Sequence, residues 1–324
     1  MYAFVSHQSA CEALRMLTGT ETRWPQDARK LPLHGDCLST QRDFAKLARA
    51  VDLSELGVIS HPADFIVPSA TARSRGSNAK FHVWSRVVPA NSFFRLRDNV
   101  LVSGPELIIL QLCGSQAKLD ALLDDFAAAL HAEEEVIASV GLDEKPVLEV
   151  PVYWERVRRL VAATVVACEF AGTYRLPVGS RATQYGARPL MTLNDLRTVA
   201  LSYPRTSVEA RTLRVADLAF EGSGSPMETA LALMLTLPVE YGGFGLPRPT
   251  LNKELDVSAY NDTLSDRNGI RADMWWEDGQ VAVEYDSWKF HGKRGDAQLT
   301  RDAIRSNILA SLGCATFRVT PGTI

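Results

Sequence analysis

Alternating apolar and polar positions mark short strands at FIVP (65–68), FHVWSRV (81–87) and FFRLR (93–97). Apolar residues at helical spacing predict helices over 9–17, 40–51, 105–113, 119–131, 154–170 and 193–201. Ser9 with Glu12 has the spacing of a capping box for the first of these, and Ser103 stands where it would cap the third. Up to about residue 220 the chain therefore predicts a mixed α and β organisation, without a repeat of fixed period. EGSGSP (221–226) interrupts it, which places a domain boundary near Gly222 and divides the chain into 1–222 and 223–324. Beyond the break the pattern changes to helix (226–237), strand (about 249–256), strand (271–276), strand (280–286), helix (297–312) and strand (315–320), an αβββαβ order.

The middle of that segment, RADMWWEDGQVAVEYD (271–286), predicts a hairpin. Asp278-Gly279 suits a two-residue type I′ turn, because both central residues of that turn need positive φ. A two-residue loop puts Trp276 opposite Val281, Trp275 opposite Ala282, Met274 opposite Val283, Asp273 opposite Glu284 and Arg271 opposite Asp286. Ala272, Met274, Trp276, Val281, Val283 and Tyr285 then form an apolar face to lay against a helix, and Arg271, Asp273, Trp275, Ala282, Glu284 and Asp286 form the other.

Opposed Asp273 and Glu284 would have Cβ atoms ~5 Å apart, an arrangement that destabilises a sheet unless the acids are hydrated or a cation lies between them. Magnesium takes oxygen ligands, accepts one or two carboxylates and keeps waters for a phosphate substrate. Asp286 has two readings, a metal ligand or a cross-strand ion pair with Arg271. Glu228, in Ser225-Pro226-Met227-Glu228, is either an accessory acid or the N3 residue of a capping box with Ser225 at N-cap. His291, just past the acidic strand, could transfer a proton or be an ordinary loop histidine. Arg301 and Arg305 share a helix face that could hold a phosphate backbone, or Arg305 simply pairs with Asp302.

Composition narrows the class without naming a function. The 324 residues are 46% hydrophobic and 23% charged, within the range of globular domains. The longest apolar runs, LVAATVVA and LALMLTLP, fall far short of the ~18 residues of a membrane span. The amino terminus lacks a basic lead-in, so a cytoplasmic location is expected. Five scattered cysteines form no CxxC pair and are expected to be thiols rather than a disulfide framework or zinc site. A net charge of −3 hides local asymmetry. Residues 65–97 carry six basic side chains, no acid and four interleaved aromatics, which suits either a nucleic-acid surface or strands with basic outward positions; 120–149 carries nine acids and reads as a solvated helical face and loop.

Asp273, Glu284-Tyr285-Asp286, His291, Asp302-x-x-Arg305, Leu309, Gly313 and the strand FRVT, in the αβββαβ order, together resemble the Vsr-like (very-short-patch-repair-like) branch of the PD-(D/E)XK nuclease superfamily. The resemblance covers about 223–324. It implies a restriction-endonuclease-like core, DNA as substrate, and Mg²⁺ or Mn²⁺ held by Asp273 and Glu284. Much of the superfamily has lysine where this chain has Asp286, so Lys289, Lys293 or His291 would have to supply the positive charge or the proton transfer.

The region from about 64 to 113, with CEFAGTYRL (168–176), looks similar to AbiEi-like antitoxin proteins. That likeness implies DNA binding, with a partner toxin or a second copy of the chain as further partners. Two functional classes lead from here: a metal-dependent DNA endonuclease of host defence or repair, targeted by its amino-terminal part, and a DNA-binding antitoxin-type regulator whose nuclease fold is inactive. A pure protein-interaction module draws support only from the acidic stretch.

Overall fold

A computed structural model describes residues 3–17, 51–67, 78–84, 88, 92–97, 100–114, 122–130, 155–203, 205–257, 270–285 and 296–320. The protein is mixed α and β. Its first sheet is five-stranded, in the order β3-β2-β1-β5-β4, formed by β1 (Ala3–Val5), β2 (Ala63–Val67), β3 (Ala79–Val83), β4 (Phe93–Arg97) and β5 (Val100–Ser103). β1 lies at the centre, parallel to β5 and antiparallel to β2. Every residue of β1 and β2 is buried, as expected of strands covered on both faces.

Helices α1 (His7–Arg15), α2 (Pro105–Gly114), α3 (122–130) and α4 (Glu155–Ala171) accompany this sheet. α2 is apolar almost all round (PELIILQLCG) and correspondingly buried on all sides. α5 (Leu193–Leu201) and α6 (Ser207–Leu218) follow a small hairpin of β6 (Tyr174–Arg175) and β7 (Gln184–Tyr185), and each begins with a complete capping box, Thr192 with Asp195 and Thr206 with Glu209.

Two expected caps are replaced by tertiary contacts. The N-cap of α1 is Ser6, not Ser9. Ser9 Oγ instead accepts the Asp64 N–H, and Glu12 Oε2 accepts the N–H groups of Ile59 and Ser60. Ser103 ends β5; its hydroxyl donates to the Val5 carbonyl and accepts from Gln111 Nε2, while Gly104 supplies the first carbonyl of α2. The helix expected at 40–51 lies outside the described residues apart from Val51, which is not helical. Cys11, Cys113 and Cys168 are buried free thiols and Cys314 is a half-buried one, whereas Cys37 lies outside the described residues.

The segment 221–225 folds back on the end of α4. Gly222 N–H donates to Ala171 O and Thr173 N–H to Ser223 O, and Ser223 is fully buried. From there α7 (Pro226–Thr236), β8 (Thr250–Leu255), β9 (Ile270–Trp276), β10 (Val281–Tyr285), α8 (Asp296–Ser311) and β11 (Ala315–Val319) reproduce the expected αβββαβ order. The four strands form one sheet, β11-β10-β9-β8, antiparallel except that β11 runs parallel to β10. Met274 and Val283 join the large apolar core that includes Ala230, Leu231 and Leu233 of α7, each burial being worth about 2 kcal/mol. Ile308 and Leu309 of α8 pack with Val257 and Ile270. Among the described residues no helix is long and apolar enough to cross a membrane.

Candidate acidic site

The hairpin register matches the expected pairing at Trp276 with Val281, Trp275 with Ala282 and Met274 with Val283. The turn itself differs. Gln280 N–H donates to Glu277 O, neither Asp278 nor Gly279 has positive φ, and Gln280 takes φ +47°. A four-residue loop closing 276 on 281 holds the same number of residues as a two-residue loop flanked by one more pair, so the faces are unchanged although type I′ geometry is not adopted.

One step beyond the Met274–Val283 pair the two acids take separate partners. Asp273 Oδ2 accepts the Tyr285 N–H at 2.8 Å. Glu284 Oε1 is gripped by Arg305 Nη2, which also donates to the Arg271 carbonyl at 2.6 Å. Neither Asp273 Oδ1 nor Glu284 Oε2 makes a hydrogen bond to a described residue. The face that carries these acids is not open along its length: Trp275 and Ala282 are buried with Leu255 and Cys314 packed against them, and Glu284 is only 9% exposed.

Burial dominates the electrostatics. It pushes the Asp273 carboxyl up to about 6, with the charge of Glu228 adding to the rise and the Tyr285 N–H, Arg305 and Arg271 opposing it. Glu284 is raised by burial and by Asp273, against the pull of Arg305 and Arg318. Glu228, Asp273 and Glu284, from one helix and two strands, are thus close enough to perturb one another along a chain of charge.

Glu228 stands at N3 of α7 without completing a capping box. Its backbone N–H donates to Ser225 Oγ, the N-cap of α7, and its carboxylate Oε2 accepts from Gly224 N–H and from Asn252 Nδ2. The same Asn252 amide donates to Gly222 O, with Asn252 at φ +52° and Gly222 at φ +75°. Side-chain polarity alone does not announce Asn252; its positive φ, a conformation asparagine tolerates, is the only local signal.

Arginines surround the acids. β11 pairs in register with β10 so that Arg318 lies beside Glu284, and its Nη2 donates to Ser306 Oγ. Arg271, exposed, lies opposite Glu254 of β8. Arg305 turns toward Glu284, and Arg301 is helical with its side chain outside the described residues, as is that of Asp302. Asp286, Lys289, His291 and Lys293 also lie outside the described residues. Sequence reasoning passed over Arg318 inside FRVT, although its parity with Glu284 follows once β11 is paired parallel to β10.

Among the described residues no three His, Cys, Asp or Glu side chains gather as a metal-holding group. Asp273 and Glu284 nevertheless offer two carboxylates, each with one oxygen that has no hydrogen bond among the described residues, the oxygen ligands a hard cation takes. The donor set fits magnesium or manganese and gives a soft metal nothing. A cavity of about 350 Å³, lined by Arg15, Arg175, Val178 and Arg181 among others, lies in the amino-terminal part and not at these acids. Comparison of the chain with protein-family models, with curated proteins and with solved structures gives no match in any of the three.

Proposed function

We propose that the protein is a metal-dependent phosphodiesterase acting on DNA, with a restriction-endonuclease-like core over 223–324 and a targeting or regulatory part over 1–222. The observation that carries this reading is the placement of two acids, half-buried Asp273 and buried Glu284, on adjacent strands with Glu228 of α7 near enough to raise Asp273. An isolated structural acid gains nothing from such company. Carboxylates that must hold Mg²⁺ or Mn²⁺ do, because the cation removes their repulsion. The bound metal would polarise a phosphoryl oxygen and lower the pKa of its water. Arg271 and Arg318 supply positive charge at the rim for the flanking phosphates.

A second reading rests on Arg305, which already neutralises Glu284. In it the acidic site is a finished ion pair, the chain is a DNA-binding regulator of antitoxin type, and the core is a docking unit. Duplex DNA incubated with purified protein separates the two. The enzyme reading expects nicking or cleavage that needs Mg²⁺ or Mn²⁺ and is lost in Asp273→Ala and Glu284→Ala, with both variants folded by circular dichroism. DNA that stays intact in both metals while the protein binds it would leave the regulator.

A further inference from the structure

Arg305 occupies a peculiar position for a side chain on the exposed half of a helix. Its Nη2 reaches Glu284 and the Arg271 carbonyl, and its Nε is buried with no hydrogen-bond partner among the described residues. A buried donor left unpaired is costly, so the guanidinium is held by its grip on Glu284 despite an unsatisfied atom. The acid it grips lies close enough to Asp273 for the two negative charges to repel. Arg305 therefore stands where positive charge is needed and pays for it in lost hydrogen bonding.

We propose that Arg305 and a divalent cation exchange at Glu284: the guanidinium is the counter-charge of the metal-free protein, and metal binding displaces it. This rests on the reading of Asp273 and Glu284 as metal ligands. Arg305 is a positioning residue in this scheme, since it acts on the metal's ligand and not on the reacting atoms. Two cations drawn to one carboxylate are negatively coupled, and the coupling is reciprocal. Removing the arginine must tighten the metal, and saturating metal must loosen the arginine.

The experiment is Mn²⁺ titration of the full-length protein, read by electron paramagnetic resonance of free Mn²⁺, in the parent, Arg305→Gln, Arg305→Lys and the double variant Asp273→Asn/Arg305→Gln. Arg305→Gln is expected to bind Mn²⁺ about tenfold more tightly than the parent, within the usual range of coupling between sites. Arg305→Lys keeps the charge but cannot bridge Glu284 and the Arg271 carbonyl in the same way, so its affinity should fall between the two. It also serves if the glutamine variant does not fold. The double variant should lose the gain, which places the ion at the acids. Equal or weaker binding in folded Arg305→Gln, beside measurable binding in the parent, overturns the exchange and leaves the metal site standing. Absence of Mn²⁺ binding in parent and Arg305→Gln alike overturns both.

Discussion

The protein holds two arginine–carboxylate groups of nearly the same composition and opposite completeness. Under the first sheet, Arg15 is fully buried, and each nitrogen of its guanidinium is used: Nε and Nη2 on the two oxygens of Glu169, Nη1 on Asp125. Glu169 Oε1 accepts the Leu176 N–H as well. Burial is the largest single influence on Arg15 and works against its charge, yet the charge and hydrogen bond of Glu169 together with Cys11 and Asp125 outweigh it and hold the guanidinium above its ordinary range. In the second sheet, Arg305 uses Nη2 on two acceptors, and among the described residues its Nε has none and Glu284 and Asp273 each keep one oxygen without a hydrogen bond. A saturated network fixes structure. An unsaturated one retains capacity to bind, which is why the second group and not the first is the candidate site.

The largest expected effect tests the saturated side. Glu169→Ala leaves buried Arg15 with Asp125 alone, on one nitrogen, and the Leu176 N–H without its acceptor, and should cost about 3 kcal/mol in urea unfolding at neutral pH. Glu284→Gln should cost only about 1 kcal/mol, because Arg305 is one-third exposed and keeps the Arg271 carbonyl. Equal losses in the two variants would erase the distinction between the groups.

The next effect is set by pH. Asp273 titrates at about 6 in the folded protein and at about 3.9 unfolded, so between those values the native state holds a proton that the unfolded chain has released. Its contribution is complete below about pH 4, is lost as pH rises through about 6, and does not return above that. Glu284, also raised, acts in the same direction. Stability measured in EDTA should therefore fall by about 1–2 kcal/mol from pH 5 to pH 8, after allowance for partial exposure of the group. Asp273→Asn should flatten most of that slope and melt no lower than the parent at pH 8. A variant that melts clearly lower at pH 8 would make Asp273 a structural acid. Mg²⁺ should restore the parent at pH 8 more than at pH 5, since the ion binds the ionised form.

The second sheet was legible from sequence where one rule decides, and opaque where several elements meet. Its strand and helix bounds follow from periodicity, and the register at Met274, Trp275 and Trp276 follows from loop length even though the turn takes another geometry. Local signatures were weaker guides. Ser9-x-x-Glu12 has capping-box spacing but serves residues 59–64, whereas Thr206-x-x-Glu209 is a true capping box at a helix that periodicity had not marked. Side-chain hydroxyls and carboxylates bind whichever N–H the fold brings, and in α1 the fold brings another segment. Arg305 could be placed on a basic face of its helix, but its turn toward Glu284 depends on how α8 meets the sheet. No spacing within α8 encodes that.

The smallest effect sharpens the comparison at Glu228, the residue shared between a cap and the acidic group. Thr206→Ala and Glu209→Ala remove a cap that takes no part in the acidic group and should each cost about 1 kcal/mol. Glu228→Gln is different: the amide oxygen can still accept from Gly224 N–H, and the Ser225 cap uses only the backbone N–H of residue 228. Stability should change by about 0.5 kcal/mol or less. What must change is the charge that helps hold Asp273 near 6. The pH-dependent loss of stability in EDTA should then shift to lower pH, as expected for removal of a like charge from a partly buried acid. Mn²⁺ affinity adds a further distinction. If Glu228 acts on the metal only through its field, the ion should weaken by a few-fold; if it belongs to the metal's supporting ligands, by about tenfold or more. An unchanged pH profile together with unchanged Mn²⁺ affinity would confine Glu228 to the helix cap and reduce the site to Asp273, Glu284 and the arginine between them and the solvent.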